Sequence, residues 1–266
     1  MNIEIIRKPS GKFKSALFDF DGTVSLLREG WQEVMTGYFA EVLIRHARNE
    51  SENEIRSIVT EFVDRLTGKQ TIFQCEALAD EIKKRGGVPG DPYECKAEYL
   101  RRLMNKIKNR HEALRAGTSH PEEHLVRGSA DFLRGLKNAG IKLYLASGTD
   151  EADVVAEAEL LGVAKYFDGG IHGARDEIKN DAKEIVIRRI ISDNKLSGAE
   201  LISFGDGFVE IQLTKEAGGY AVAVATDESK REGVDEWKRA RLLGAGADAV
   251  VANFERPDEI IETFIK

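Results

Sequence analysis

The sequence predicts an α/β protein in which a parallel sheet is interrupted by a long, purely helical insertion. Beyond residue 128, short apolar runs alternate with helix-length segments, which is typical of βαβ units and a parallel sheet. Between residues 31 and 116 no strand-like run is bounded by turns, and apolar residues recur at helical spacing. The simplest arrangement is one sheet domain, residues 1–24 and 125–266, with a helical domain at 25–124 inserted after the first strand.

The first strand is predicted at 15–20, an apolar run that ends in an Asp-Gly turn signal. The helical insertion begins with a predicted helix over 30–48. Ser51 and Glu54 form a capping box ahead of the next helix, whose apolar residues fall on one face. Two more helices are expected at 71–85 and 92–115.

The segment 117–127 has the composition of a linker, and alternating elements follow it. The patterning predicts strands at 141–146, 201–204, 220–225 and 248–251. It predicts helices at 128–139, 150–161, 182–193, 208–217, 234–243 and from about 256.

Composition excludes several classes of function. The chain has 266 residues and a net charge of −7 without a long basic run, so nucleic acid is not an expected partner. Its longest apolar runs fall short of the roughly 18 residues of a membrane helix, and no secretory signal is visible, so a cytoplasmic location is expected. Cys75 and Cys95 lack CxxC spacing, and two reduced thiols are expected.

An acid pair follows the first predicted strand, in the segment 19–23 (DFDGT). Residues two apart in an extended strand share a face, so Asp19 and Asp21 can both point into one site. Gly22 permits the sharp turn that follows. An acidic turn or a calcium loop is the alternative, but an EF-hand would need a glycine where Val24 stands.

Two further features could bind an anion. Ser147 and Gly148 belong to the segment 145–149 (LASGT), where a strand is predicted to meet a helix. The N-terminus of a helix offers unpaired N–H groups to an anion, although Ser147 taken on its own is more typical of a simple N-cap. Lys183 lies near the start of a predicted helix; a lone lysine is usually solvated, and Lys179 is a local alternative.

A second acidic motif, the segment 205–210 (GDGFVE), follows a later strand. Asp206 and Glu210 are its acids; a turn followed by an exposed helical Glu is the alternative interpretation. Several carboxylates at one sheet edge repel each other and resist ionisation unless cations join them. A hard divalent cation and one lysine would supply that charge, and such a site suits phosphoryl transfer.

These motifs resemble, in order, those of the haloacid dehalogenase (HAD) superfamily. DFDGT is similar to motif I, LASGT to motif II and GDGFVE to motif IV. Lys183 precedes Asp206 by 23 residues, which is the motif III spacing of phosphoserine-phosphatase-like members. The resemblance implies a Rossmann-like parallel sheet core (the HAD fold) with an inserted all-α cap of the C1 type. Phosphoglycolate phosphatases and β-phosphoglucomutase-like proteins are the members it resembles.

The resemblance also implies catalytic roles. Asp19 would be the nucleophile that forms an aspartyl-phosphate, and Asp21 the general acid and base. Ser147, Gly148 and Lys183 would bind the phosphoryl group. Because dehalogenases and phosphonatases of the superfamily lack the second acid of motif I, Asp21 argues against cleavage of C–halogen or C–P bonds.

The implied cofactor is Mg²⁺, held by Asp19, Asp206 and the main-chain carbonyl of Asp21. Glu210 stands where many relatives carry Asp, so its contact with the metal, direct or through water, stays open.

The expected function is Mg²⁺-dependent hydrolysis of a small phosphorylated metabolite. Lys69 in a cap loop and Arg28 just after motif I are candidate substrate-binding residues, and the cap is expected to act as a lid. A sugar phosphomutase of the same fold is the alternative, since the motifs do not separate the two. A receiver-like module that accepts phosphate on an aspartate is a distant alternative, because such modules are about half this length.

Overall fold

The computed structural model describes residues 3–9, 12–175, 182–193 and 197–265. The chain forms two compact units. The sheet unit comprises Met1–Glu29 and Ala113–Lys266, and the helical unit comprises Gly30–Glu112. A helical segment thus interrupts the sheet-forming chain, as the sequence suggests. The domain boundaries at 24/25 and 124/125 stay predictions.

A seven-stranded sheet forms the centre of the sheet unit. Its strands in chain order are β1 (Ile3–Ile5), β2 (Ser15–Phe18), β3 (Lys142–Asp150), β4 (Gly170–Ala174), β5 (Leu201–Gly205), β6 (Tyr220–Val224) and β7 (Ala249–Val251). The order across the sheet is β1-β7-β6-β5-β2-β3-β4. Among the described strands β1 and β7 pair antiparallel, and the other neighbouring strands pair in parallel.

Among the described residues there are ten α-helices. They are α1 (Trp31–Ile44), α2 (Glu52–Leu66), α3 (Thr71–Lys84), α4 (Pro92–Arg115), α5 (Ser129–Asn138), α6 (Glu151–Leu160), α7 (Ala182–Asp193), α8 (Phe208–Glu216), α9 (Glu236–Gly244) and α10 (Pro257–Phe264). Short 3₁₀ turns lie at Pro121–His124, Ala164–Tyr166 and Gly198–Glu200. In the part of the chain that the structure describes, no helix is both long and apolar enough to cross a membrane.

The central strand β2 brings the functional motifs together. Phe18, its last residue, pairs with Leu145 of β3 on one side and Phe204 of β5 on the other. All three strands are parallel, so the residues that follow them meet at one edge of the sheet, where open α/β sheets bind ligands. The ring of Phe18 stacks on that of Phe204, with 4.9 Å between centroids, and is fully buried.

The helical unit has its own apolar core. Phe39 of α1 and Phe62 of α2 stack at 6.0 Å, within a cluster to which α3 and α4 also contribute. The predicted capping box is present at α2: Ser51 Oγ accepts from the Glu54 N–H, and the Glu54 carboxylate accepts from the Ser51 N–H at 2.7 Å.

The predicted fold class is confirmed, but two strands escaped prediction. β1 has three residues, too few to display an alternating pattern. β4 reads Gly-Ile-His-Gly-Ala, and its two glycines have low strand propensity. Both strands lie at the edges of the sheet, where pairing with one neighbour is enough to define them.

Candidate active site

The acid pair of motif I lies directly beyond β2. The Asp19 N–H donates to the Phe204 carbonyl at 3.0 Å, and this bond continues the pairing of β2 with β5. Gly22 has a φ of 75°, a left-handed conformation that favours glycine. A β-carbon on Gly22 would also collide with the carboxylate of Asp206. The glycine therefore allows the turn and lets the second acidic motif approach it.

Lys183 lies between two buried carboxylates. Its Nζ donates to Asp19 Oδ2 at 2.7 Å and to Glu210 Oε2 at 2.8 Å. Burial lowers the pKa of Lys183, but the charges of Asp19 and Glu210 outweigh it and the pKa is raised, so the lysine stays charged. Burial raises the pKa of Asp19 well above its usual range, and the charge of Lys183 opposes this. The lysine is the counter-ion that the nucleophile candidate needs.

Asp21 is held by the hydroxyl groups of motif II. Thr149 Oγ1 donates to Asp21 Oδ2 at 2.8 Å, and Ser147 Oγ lies 3.4 Å from the same oxygen. The other oxygen, Oδ1, is buried without a hydrogen-bond partner among the described residues. Burial raises the pKa of Asp21 to about 6, although the positive charge of Arg28 opposes the shift. A carboxyl group with such a pKa can donate and accept protons near neutral pH.

Ser147 is not at the end of a helix. β3 continues through motif II to Asp150, α6 begins at Glu151, and Asp150 is the N-cap residue. The N-cap interpretation of Ser147 is therefore wrong; instead its Oγ accepts from the Thr149 N–H at 3.0 Å. Gly148, between them, is half-buried. Binding of a phosphoryl group by Ser147 and Gly148 stays a prediction.

Asp19, Asp206 and Glu210 form the acidic cluster that could hold a metal ion. One carboxylate oxygen from each lies within 4.8 Å of the others. Glu210 is also engaged elsewhere, because Oε1 accepts from the Gly207 N–H at 2.5 Å while Oε2 accepts from Lys183. These contacts fix Glu210 at the start of α8 and give it a structural role beside any contact with a metal.

The site has a second lysine, Lys238, which contacts Asp206 and was not predicted from the sequence. Lys238 Nζ on α9 donates to Asp206 Oδ2 at 2.8 Å and to Glu228 Oε1 at 2.5 Å. Burial lowers the pKa of Lys238, but the charges of Asp206 and Glu228 outweigh it, so the pKa is raised. No motif spacing points to Lys238 or Glu228, since both lie beyond motif IV in an ordinary polar segment.

Thr149 was missed for a different reason: it lies inside a recognised motif, but its contact with Asp21 depends on the pairing of β2 with β3.

Arg28 is buried behind the acid pair, with 4% of its surface exposed. Its Nε and Nη2 donate to Glu157 at 2.9 to 3.0 Å, and Nη2 also contacts Asp153 at 3.2 Å. The guanidinium is thus largely neutralised within the sheet unit, while its charge still acts on Asp21. Substrate binding by Arg28 stays a prediction.

Lys69 belongs to the helical unit and is exposed, with its Nζ 5.9 Å from the centre of the Phe73 ring. Its role in substrate binding stays a prediction. Lys179, the alternative to Lys183, lies outside the described residues. The two thiols of Cys75 and Cys95, distant in sequence, share a hydrogen bond in the helical unit.

The site thus combines an acidic cluster and a buried lysine at the carboxyl edge of a parallel sheet. The model of the haloacid dehalogenase-like hydrolases matches residues 13–218. The chain belongs to the haloacid dehalogenase-like hydrolase family. No curated protein matches the chain at a significant level.

Solved structures with this fold include both phosphatases and mutases. A predicted phosphoglycolate phosphatase from Haemophilus somnus 129pt has 16% identity and a TM-score of 0.59, covering 94% of this chain and 98% of that one. β-Phosphoglucomutase from Clostridium difficile has 17% identity and a TM-score of 0.58, covering 94% and 96%. CbbY from Rhodobacter sphaeroides, in complex with phosphate, has 19% identity and a TM-score of 0.57, covering 92% and 96%. At these identities the likeness establishes the fold.

Proposed function

We propose that the chain is a Mg²⁺-dependent phosphohydrolase that acts on a small phosphorylated metabolite through an aspartyl-phosphate on Asp19. The observation that carries this proposal is the arrangement around Asp19. Its carboxylate is buried, paired with Lys183, and joined by Asp206 and Glu210 in one cluster. A lysine and a group of carboxylates around a carboxylate nucleophile suit a reaction whose catalysis is mainly positioning and charge neutralisation.

The donor set fits Mg²⁺. The cluster offers carboxylate oxygens, the ligand type that this hard cation prefers. Asp19, Asp206 and the main-chain carbonyl of Asp21 would hold the ion, with Glu210 in contact directly or through water. When bound, Mg²⁺ would neutralise charge that develops on the transferring phosphoryl oxygens.

The residues of the chain divide the rest of the reaction between them. Asp19 attacks phosphorus, the bond to the leaving oxygen breaks, and Asp21 gives that oxygen a proton. Asp21 then takes a proton from the water that hydrolyses the aspartyl-phosphate. Lys183 holds Asp19 and balances the charge of the phosphoryl group, while Ser147 and Gly148 bind its oxygens.

A sugar phosphomutase is the second candidate, favoured by the similarity to β-phosphoglucomutase. A mutase returns the phosphoryl group from Asp19 to a bound intermediate, whereas a phosphatase passes it to water. Incubation with a sugar 1-phosphate separates the two, because only a mutase yields the 6-phosphate in place of inorganic phosphate.

The substrate class is proposed as a small phosphorylated metabolite, such as a phosphoglycolate-type or sugar-phosphate compound. Phosphate in the related CbbY structure supports an anion of this kind. Nucleic acid and membrane partners are not proposed, given the net charge of −7. The lid role of the helical unit and the cytoplasmic location stay predictions.

The decisive experiment first screens wild type against phosphorylated metabolites with Mg²⁺ to find its best substrate. The turnover of that substrate is then compared between wild type and Asp19→Asn. The amide is isosteric but a poor nucleophile, so turnover of the best substrate should fall at least about 10³-fold. The wild-type enzyme, quenched with acid during turnover of a ³²P-labelled substrate, should carry hydroxylamine-sensitive label on the Asp19 peptide. Near-UV circular dichroism controls for folding. A correctly folded variant with a tenth of wild-type activity, and wild-type protein without the label, would contradict the proposal.

A further inference from the structure

A part-buried ion pair between Lys238 and Glu228, which lies outside the four motifs, contacts the acidic cluster at Asp206. Lys238 lies with its Nζ between Asp206 Oδ2, at 2.8 Å, and Glu228 Oε1, at 2.5 Å. The side chains of Lys238 and Asp206 are each 13% exposed, and that of Glu228 is 20% exposed. Little water is therefore available to screen the charges of these three groups.

The contacts leave one oxygen of Asp206 available to a cation. Oδ2 accepts from the lysine, while the contact that Oδ1 makes within the described residues is a long one, 3.4 Å, from Thr23 Oγ1. The ammonium group thus restrains the rotation of the Asp206 carboxylate by holding Oδ2, which leaves Oδ1 as the oxygen that the lysine does not contact. Such contacts with a ligating carboxylate orient it and tune the affinity of the metal.

Glu228 offsets the positive charge that Lys238 would otherwise place beside Asp206. A lysine paired with Asp206 alone would cancel the negative charge that attracts a divalent cation. Because Glu228 also accepts from Lys238, the lysine and the glutamate together add no net charge next to Asp206. Lys183 is likewise shared between two carboxylates, those of Asp19 and Glu210.

We propose that Lys238 and Glu228 are positioning residues for the metal ligand Asp206: Lys238 fixes the carboxylate for binding through Oδ1, and Glu228 neutralises Lys238 so that the cation is not repelled. The inference rests on the proposed function, because it requires the cluster to bind Mg²⁺. Both residues lie outside the four motifs. If Glu228 acts by neutralising Lys238, its effect on the affinity for Mg²⁺ should disappear when Lys238 is absent.

A double-mutant cycle on the affinity for Mg²⁺ tests this dependence. Isothermal titration with Mg²⁺ alone, without substrate, gives Kd for wild type, Glu228→Gln, Lys238→Met and the double variant. Glu228→Gln leaves the ammonium charge unbalanced beside Asp206 and should raise Kd about tenfold, as loss of an outer-shell partner does. In the Lys238→Met background the same substitution should change Kd by less than about twofold, since no ammonium charge remains to balance.

Matched controls separate this effect from a general loss of a glutamate. Glu200 also pairs with a lysine at 2.5 Å, that of Lys14, but outside the cluster, so Glu200→Gln should leave Kd unchanged. Circular dichroism and the melting temperature measured without Mg²⁺ establish that each variant is folded. If Lys238→Met does not fold, Lys238→Gln, which keeps a donor for Asp206, takes its place in the cycle.

The possible results distinguish the inference from the proposed function. If wild type does not bind Mg²⁺, the proposed metal site is wrong and the inference falls with it. If wild type binds Mg²⁺ but Glu228→Gln binds equally well, the inference alone is overturned. An equal loss of affinity from Glu228→Gln in both backgrounds would also overturn it, because Glu228 would then act without Lys238.

Discussion

Lys183→Met in the metal-free protein should cause a large loss of stability, because it removes a cation shared by two buried acids. The side chain of Lys183 is 1% exposed, that of Asp19 7% and that of Glu210 1%. Removing one partner of a buried ion pair costs about 3–5 kcal/mol, whereas an exposed pair contributes about 0–1 kcal/mol. We expect the variant to lose about 3–5 kcal/mol of unfolding free energy, or roughly 6–10 °C in Tm for a chain of this size.

The assay is urea unfolding at neutral pH in the presence of a chelator, with Lys14→Met as the control. Lys14 pairs with Glu200 at 2.5 Å, but its side chain is 64% exposed, so its loss should cost at most about 1 kcal/mol. Adding Glu210→Gln to Lys183→Met should restore part of the stability, because one of the two uncompensated charges disappears. Mg²⁺ should stabilise Lys183→Met more than wild type, since the cation takes over part of the compensation. If Lys183→Met were as stable as Lys14→Met, the burial argument would be refuted.

Two further predictions concern a proton donor and a structural acid. Asp21→Asn should slow hydrolysis of an alkyl phosphate more than that of p-nitrophenyl phosphate, whose leaving group needs no proton; equal losses in kcat/KM for the two substrates would exclude Asp21 as the general acid. Burial raises the pKa of Asp248, but hydrogen bonds from Arg7 and Lys215 outweigh it and hold the pKa below its usual value. The stabilisation is therefore present above about pH 4, the unfolded value, and is lost as pH falls below it. In urea unfolding, Asp248→Asn should be less stable than wild type by about 1–3 kcal/mol at pH 7. The difference should be smaller at pH 3, and a difference that stays the same at pH 3 would contradict this.

The sequence by itself determined the class of fold and the main elements. Apolar periodicity is a local signal, so α2 with its Ser51 capping box and the apolar run that becomes β5 could both be recognised from neighbouring residues. The acid pair of motif I could be found in the same way, because residues two apart in a strand share a face. Where the local signal was weak, as in the three-residue β1, the prediction failed.

Motif II marks the limit of local reasoning. The segment 145–149 predicted a strand-to-helix junction at Ser147, but β3 runs on to Asp150, and the serine and Thr149 contact Asp21 instead. Parallel pairing with β4, which includes Ala146 with His172 and Asp150 with Ala174, keeps β3 extended through motif II, and no pattern within five residues encodes that pairing.

Only the tertiary structure decided which charges meet. Lys183 contacts Asp19 across 164 positions of sequence, and Lys238 contacts Asp206 across 32. The sequence separation between such partners follows no regular pattern, so an isolated lysine cannot be told from a solvated one in the sequence. The order of the strands is what brings it close to a carboxylate. Burial in turn decides how much such a contact matters, since losing one partner costs about 0–1 kcal/mol for an exposed pair and about 3–5 kcal/mol for a buried one.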